Sequence, residues 1–230
     1  MSFLRAALAV ARKDLRVELR SLEVAIAMVF FAGLVLLLFA FAFVREGRAP
    51  PHAAAGILWI AVALAGTLGL GRAFDREREG DTFAALLAAP VERAAIYVGK
   101  VAGIVALLAV TEAAAVPATA LLFEPRLVDG NVAPALALLL LLGSLGFAAV
   151  GTLFAATLVR NRARHVLLGI LLYPIIVPVM IAGARGTQAL LELPAPDFPS
   201  VWLWAKVLAL FDAAFVVLAL WVFEPLVAAD

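Results

Sequence analysis

Six apolar runs, each near or above 20 residues, constrain this chain more than any other feature. They lie at about 24–44, 53–71, 98–123, 132–159, 166–184 and 201–223. About 20 apolar residues wound as an α-helix cross a hydrocarbon core. Inside lipid every backbone N–H and C=O must find a partner within the protein, which a helix provides residue by residue. The expectation is an all-α polytopic membrane protein with six transmembrane helices in one domain over residues 1–230. Composition points the same way: 66% of residues are hydrophobic, 15% are charged and mean hydropathy is +1.09. Soluble domains carry about 45–50% apolar and about 25% charged residues. The fourth run is long enough to tilt or project; the second is short and glycine-rich.

The distribution of lysine and arginine orients the spans. With the N-terminus inside, 13 basic residues fall on the inner segments and 5 on the outer ones. Both termini are therefore expected in the cytoplasm. The net charge of +1 gives no reason to expect a nucleic-acid partner, and the absence of cysteine excludes disulfides, thiolate metal sites and covalent haem attachment through C-x-x-C-H. The N-terminus is not expected to be a cleaved signal, because its first apolar run is too long and follows a charged amphipathic stretch. Outside, residues 45–52 and 124–131 read as short loops. Residues 185–200 read as a longer segment in which 187–193 forms a turn or two of helix before Pro194, Pro196 and Pro199. Inside, Arg160–His165 reads as a basic turn at the headgroups.

Two segments outside the spans are amphipathic. Residues 1–23 repeat Leu4, Leu8, Ala11, Leu15, Leu19 and Leu22 at helical spacing, with Arg5, Arg12, Lys13, Arg16 and Arg20 on other faces. That pattern suits an interfacial helix on anionic membrane lipid. The second is a short helix between spans 2 and 3, within the longest charged interruption of the chain. Phe83, Leu86 and Leu87 share one face at i, i+3 and i+4, Asp81 or Thr82 caps its start, and Pro90 ends it. Two turns of helix are marginal alone, so the three apolar side chains need a cover. Two readings remain open: a docking peg for a soluble partner, or a helix lying on lipid headgroups.

Within the spans, Glu112 lies roughly 21 Å along its helix from Val98 by helical rise, and Asp212 lies near the middle of span 6. Carboxyls at such depth are costly and often mark a pathway. Alternatively each is neutral, or bonded to a hydroxyl such as that of Thr111, Thr119 or Thr152. Pro174 and Pro178 free carbonyls on one face of span 5 and predict a kink there, read either as a gating hinge or as ordinary bending. The glycines of spans 2 and 4 read as packing residues, as does Trp59. His52 and His165 are isolated and read as surface residues. No phosphate loop is present: Gly99-Lys100 lacks the upstream glycine and is followed by Val101. No nucleophile–base or metal constellation suggests a membrane enzyme. An energised transporter of this kind takes its energy from another subunit.

The stretch Glu77-Arg78-Glu79-Gly80-Asp81-Thr82-Phe83-x-x-Leu86-Leu87-x-x-Pro90, continuing to Gly99-Lys100, resembles the first cytoplasmic loop of ABC-2-type exporter permeases. There the pattern is roughly E-R-E-x-G-T-L-E-x-L-L-x-[ST]-P followed by a Gly-Lys. This chain departs by an Asp inserted between Gly80 and Thr82, and by Ala84 in place of an acid. Within that group the chain is most similar to the CcmB family of cytochrome c maturation. The similarity extends through a KDLRVELRS-like entry (Lys13–Ser21), Thr111-Glu112-Ala113 with Pro117, and Leu171-Leu172-Tyr173-Pro174-x-x-x-Pro178. It lacks the tryptophan-rich W-W-D haem segment of the CcmC family.

The resemblance implies a permease subunit of the bacterial inner membrane. Its coupling helix, at Arg78, Glu79, Asp81, Thr82, Phe83, Leu86, Leu87 and Pro90, would sit in a groove of a separate ATP-binding subunit, CcmA. It further implies two copies of each in a complex with CcmC, CcmD and the haem chaperone CcmE. ATP is then bound by the partner and no cofactor by this chain. Haem is either transported or handled when the loaded chaperone is released. Two rival functions are weighed beside it: an ABC-2 permease for a drug, lipid or polysaccharide, and an ATP-independent transporter or channel using Glu112 and Asp212.

Overall fold

The computed structural model describes residues 2–44, 53–79, 91–159, 161 and 163–228, with side chains described except at 76–79 and 224–228. Among these residues the chain is all-helical. Seven α-helices run in order: α1 (Phe3–Ser21), α2 (Glu23–Phe43), α3 (Ala53–Glu79), α4 (Arg93–Leu122), α5 (Ala133–Leu158), α6 (Arg164–Leu190) and α7 (Phe198–Ala228). A single 3-10 turn (Pro125–Val128) lies between α4 and α5. Helices α2 to α7 are each long and apolar enough to cross a membrane, so the chain is a multi-pass membrane protein. The spans start and stop within a few residues of the apolar runs, except where helix continues past the lipid-compatible stretch. Thus α3 extends beyond Gly71 to Glu79, and α4 begins at Arg93 rather than near Val98.

The bundle has an inner trio, α3, α4 and α5, whose faces are mostly buried, and an outer set, α2, α6 and α7, whose faces are mostly exposed. Exposed Phe30, Leu38 and Phe41 on α2, and Trp202, Leu210 and Trp221 on α7, form an apolar exterior of the kind lipid covers. The interior is packed by large side chains set against glycines. A Cβ on Gly143 or on Gly183 would overlap the Trp59 ring, and one on Gly151 would overlap Leu70. The Trp59 indole N–H donates to the Thr187 hydroxyl at 2.9 Å. A buried indole that fills two glycine notches and satisfies its one donor fixes the spacing of α3, α5 and α6.

The structure adds to two readings and changes one. First, α1 is helical, and a face other than the exposed leucines packs on the bundle. It buries Ala6, Ala7, Val10 and Ala11 against α4, while Leu4, Leu8 and Leu19 are exposed. Gly99 explains the choice: a Cβ there would lie 2.6 Å from the Ala7 carbonyl oxygen, so only glycine lets the backbones approach this closely. Second, the segment 185–200 is mainly the continuation of α6 to Leu190 and the start of α7 at Phe198. Arg126 donates to the Leu191 carbonyl at 2.9 Å and to Glu124 at 2.9 Å, tying the loop after α4 to that end of α6. Third, α6 runs through Pro174 and Pro178 as one helical segment, and the kink expected there stays an expectation.

Between α1 and α2 the chain turns at Leu22, whose φ is +53°. A left-handed conformation costs a residue with a Cβ about 1–2 kcal/mol. The turn is held by the Leu22 N–H donating to the Glu18 carbonyl at 2.6 Å, and by the Ala25 N–H donating to the Glu18 carboxylate at 2.8 Å.

Candidate functional site

The expected coupling segment falls between α3 and α4. Arg78 and Glu79 form the last residues of α3. Asp81, Thr82, Phe83, Leu86, Leu87 and Pro90 lie outside the described residues, as does His52. What is described is how the chain arrives at that segment and leaves it. Both flanks lie at the same end of the bundle as α1 and the start of α6, and both are fastened by opposite charges.

On the departing side, Lys100 projects from α4 toward α1. Its Nζ donates to Asp14 Oδ2 at 2.8 Å, and the Lys100 side chain is only 6% exposed. Lys13 lies 3.0 Å from the other oxygen of Asp14. The same ammonium sits 5.8 Å from the centre of the Phe74 ring on α3, within reach of a cation–π attraction. On the arriving side, Asp75, next to Phe74, accepts from Arg164 Nε at 2.8 Å and from its Nη2 at 2.6 Å. His165 Nε2 is 3.5 Å from the same oxygen. Asp14, Lys100, Phe74–Asp75 and Arg164 thus join α1, α4, α3 and α6 in one line.

These partners were not apparent in the sequence. Arg164 and His165 read there as part of a headgroup turn; Arg164 turns inward to Asp75, while His165 beside it stays 56% exposed. The available signal was that Asp14 and Asp75 are acids set inside basic stretches, between Lys13 and Arg16 and between Arg72 and Arg76. A cavity of about 190 Å³ sits beside the line, between α1, α3 and α4, with Asp14, Glu18, Phe74, Lys100 and Gly103 on its wall.

The intramembrane acids come together on α5 without touching one another. Glu112 of α4 accepts a hydrogen bond from the Ser144 hydroxyl. The hydroxyl is therefore Ser144's, not one of the three threonines considered: Thr111 and Thr119 donate to the carbonyls four residues back, and Thr152 has no partner among the described residues. Asp212 of α7 is buried, and neither of its oxygens has a partner among the described residues. It lies against Gly146, where a Cβ would come within 3.2 Å of Phe211 and 3.3 Å of Val179. Ser144 and Gly146 are two residues apart, about 200° around the helix. The two carboxyls therefore reach α5 from opposite sides at one depth. Val179 follows Pro178, which brings the proline-bearing part of α6 to the same glycine. Glu112 and Ser144 also line a groove of about 440 Å³ between α4 and α5, walled by Pro117, Val128, Leu136 and Leu140. No cluster of three His, Cys, Asp or Glu side chains with metal-holding geometry occurs among the described residues.

Comparison with known proteins follows this architecture along the chain. The heme exporter protein B of Pseudomonas aeruginosa is 29% identical over 173 residues, covering 75% of this chain and 76% of that protein. The CcmB protein family matches residues 5–227, from the first turn of α1 to the last turn of α7, taking in both charge fastenings and both buried carboxyls. The chain belongs to the CcmB family.

Proposed function

We propose that this chain is the membrane-spanning permease subunit of an ATP-driven haem-export complex of the bacterial inner membrane, with both termini in the cytoplasm. The observation that carries the reading is the CcmB match over residues 5–227, reinforced by the name of the Pseudomonas relative, heme exporter protein B. The matched length is taken up by membrane helices and their short connections, and no phosphate loop is present in it. ATP hydrolysis is accordingly assigned to a separate subunit of the CcmA type. Two copies of each subunit, with CcmC, CcmD and the chaperone CcmE, complete the assembly.

In this scheme the segment 80–90 is the coupling helix, with Phe83, Leu86 and Leu87 filling the partner's groove and Arg78, Glu79, Asp81 and Thr82 at its entrance. The lysines and arginines of α1, with exposed Leu4, Leu8 and Leu19 beside them, rest on the inner leaflet. ATP-driven movement of the partner shifts the ends of α3 and α4, and the bundle changes state. The interior favours release of the haem-loaded chaperone over passage of haem through one subunit: Trp59, Leu70 and Phe147 fill the spaces between α3, α5 and the neighbouring helices.

The test is Phe83→Asp, compared with the native chain in affinity purification from native membranes. The native chain brings down an ATP-binding subunit, and Phe83→Asp inserts but loses it. Retention of a full complex and of ATP-dependent haem handling in the variant would defeat the proposal.

A further inference from the structure

The coupling segment joins the bundle through two helix ends, and each end is bound sideways to a different helix. Two turns into α4, Lys100 holds Asp14 of α1. At the end of α3, Asp75 is gripped by both Nε and Nη2 of Arg164 on α6. Phe74 connects the two, standing next to Asp75 in sequence and under the Lys100 ammonium in space.

Stability alone is a poor reason for this arrangement. Removing a lysine from water has a desolvation cost, and well-packed apolar residues often hold a protein together as well as a buried ion pair does. What charge pairing adds is fixed register. The contact between α1 and α4 is otherwise apolar, with Phe3, Ala6, Ala7 and Val10 of α1 against Ala95, Val98 and Gly99 of α4, and apolar contact is not directional. An ion pair at its edge opposes sliding. Similarly, the planar guanidinium brings two N–H donors, Nε and Nη2, to one oxygen of Asp75, which sets the direction of the guanidinium toward that atom.

We propose that this line of side chains is the mechanical link of the complex, with Asp14, Lys100, Asp75 and Arg164 as positioning residues. Movement arriving at the start of α4 passes to α1 through Asp14–Lys100. Movement arriving at the end of α3 passes to α6 through Asp75–Arg164, and along α6 to Val179 beside Gly146 and Asp212. The inference rests on the reading of residues 80–90 as the segment that meets the ATP-binding subunit.

A redox-controlled tie tests the first fastening. The chain has no cysteine, and a Cβ placed on Gly103 lies 3.6 Å from the Asp14 Cβ, inside the range that a disulfide spans. Asp14→Cys combined with Gly103→Cys therefore exchanges the ion pair for a covalent bond that reductant opens. The complete complex is purified with its ATP-binding subunit and placed in vesicles. ATP hydrolysis and ATP-dependent release of haem-loaded chaperone are then measured oxidised and reduced. The expected result is a cross-link in most molecules, with near-native output per ATP when oxidised. On reduction the ATP-binding subunit stays bound while that ratio falls at least tenfold. Equal ratios in the two states overturn the proposal, and so does failure of the cross-link to form, because α1 and α4 would then not meet as described.

The second fastening is tested by Asp75→Arg, Arg164→Asp and the double exchange. Each single change is expected to cut output per ATP at least tenfold, and the exchange to restore at least half of it. Silent single changes, or an intact complex that the exchange does not rescue, overturn this half. If Phe83→Asp fails to strip the ATP-binding subunit, the reading of 80–90 is at fault. If it does strip it and the redox states are equal, only the mechanical link is.

Discussion

Glu112 and Asp212 occupy matching positions on opposite sides of α5, and they are treated in opposite ways. Glu112 has a hydroxyl donor in Ser144 and borders an open groove. Asp212 has Phe211, Val179 and the bare backbone of Gly146 around it, and no donor among the described residues. The same functional group therefore stabilises one helix contact and burdens the other. A buried polar atom without a partner costs about 1–3 kcal/mol on the scale of protein substitutions. Glu112 is explained by the fold. Asp212 is tolerated by it, which makes it the stronger candidate for a group that is used when the bundle changes state.

The most disruptive way to probe this contrast is to fill the notch that faces Asp212. Gly146→Val places carbon where Asp212, Phe211 and Val179 already sit, and overpacking of this kind costs about 1–3 kcal/mol. Thermal unfolding in detergent, followed by tryptophan fluorescence, should show a clear loss. Asp212→Ala in the same chain should recover part of it, because neighbouring substitutions that share a clash are not additive. Strict additivity would mean that the carboxyl does not press on Gly146.

A smaller effect separates the acids by sign. Glu112→Val deprives the Ser144 hydroxyl of its acceptor and is expected to destabilise by about 1 kcal/mol, the usual net value of one hydrogen bond. Asp212→Val, shorter than the native side chain toward Gly146 and free of unpaired oxygens, is expected to stabilise by a similar amount while impairing haem handling. Equal signs in the same unfolding assay would erase the distinction.

The smallest effect lies outside the membrane, where a carboxylate has an opposite charge beside it. The hydrogen bond from Arg126 holds the Glu124 carboxyl below its ordinary range, against a weaker opposing effect of burial. A depressed carboxyl contributes stability that is present above its unfolded pKa and lost as pH falls through the folded one. The tie from Arg126 to the Leu191 carbonyl should accordingly loosen only in acid, below the usual carboxylate range. Hydrogen exchange across 124–132 should rise there in the native chain, and Glu124→Gln should already show part of that rise at neutral pH.

The spans were legible because lipid imposes one requirement, length of apolar helix, that the sequence states directly. The presence of α1 was legible for a related reason, helical spacing of leucines. Its packed face was not: periodicity identifies faces but not the neighbour, and the neighbour here is Gly99, which selects alanines over leucines. The depth of Glu112 was readable, whereas its donor was not, since Ser144 lies 32 residues away. Asp75 and Arg164 are separated by 89 residues, and the local pattern around either does not name the other. Of the proposed coupling segment, the pattern at Phe83, Leu86 and Leu87 is stated by the sequence alone.

The left-handed corner at Leu22 has a geometric consequence. Helix α2 by itself is roughly 31 Å long at 1.5 Å per residue, a full hydrocarbon thickness. Had residue 22 kept ordinary right-handed angles, α1 would prolong that rod by roughly 28 Å and stand like a mast in the aqueous phase, its alanine seam far from Gly99. One residue in the disfavoured conformation folds the mast down onto the deck.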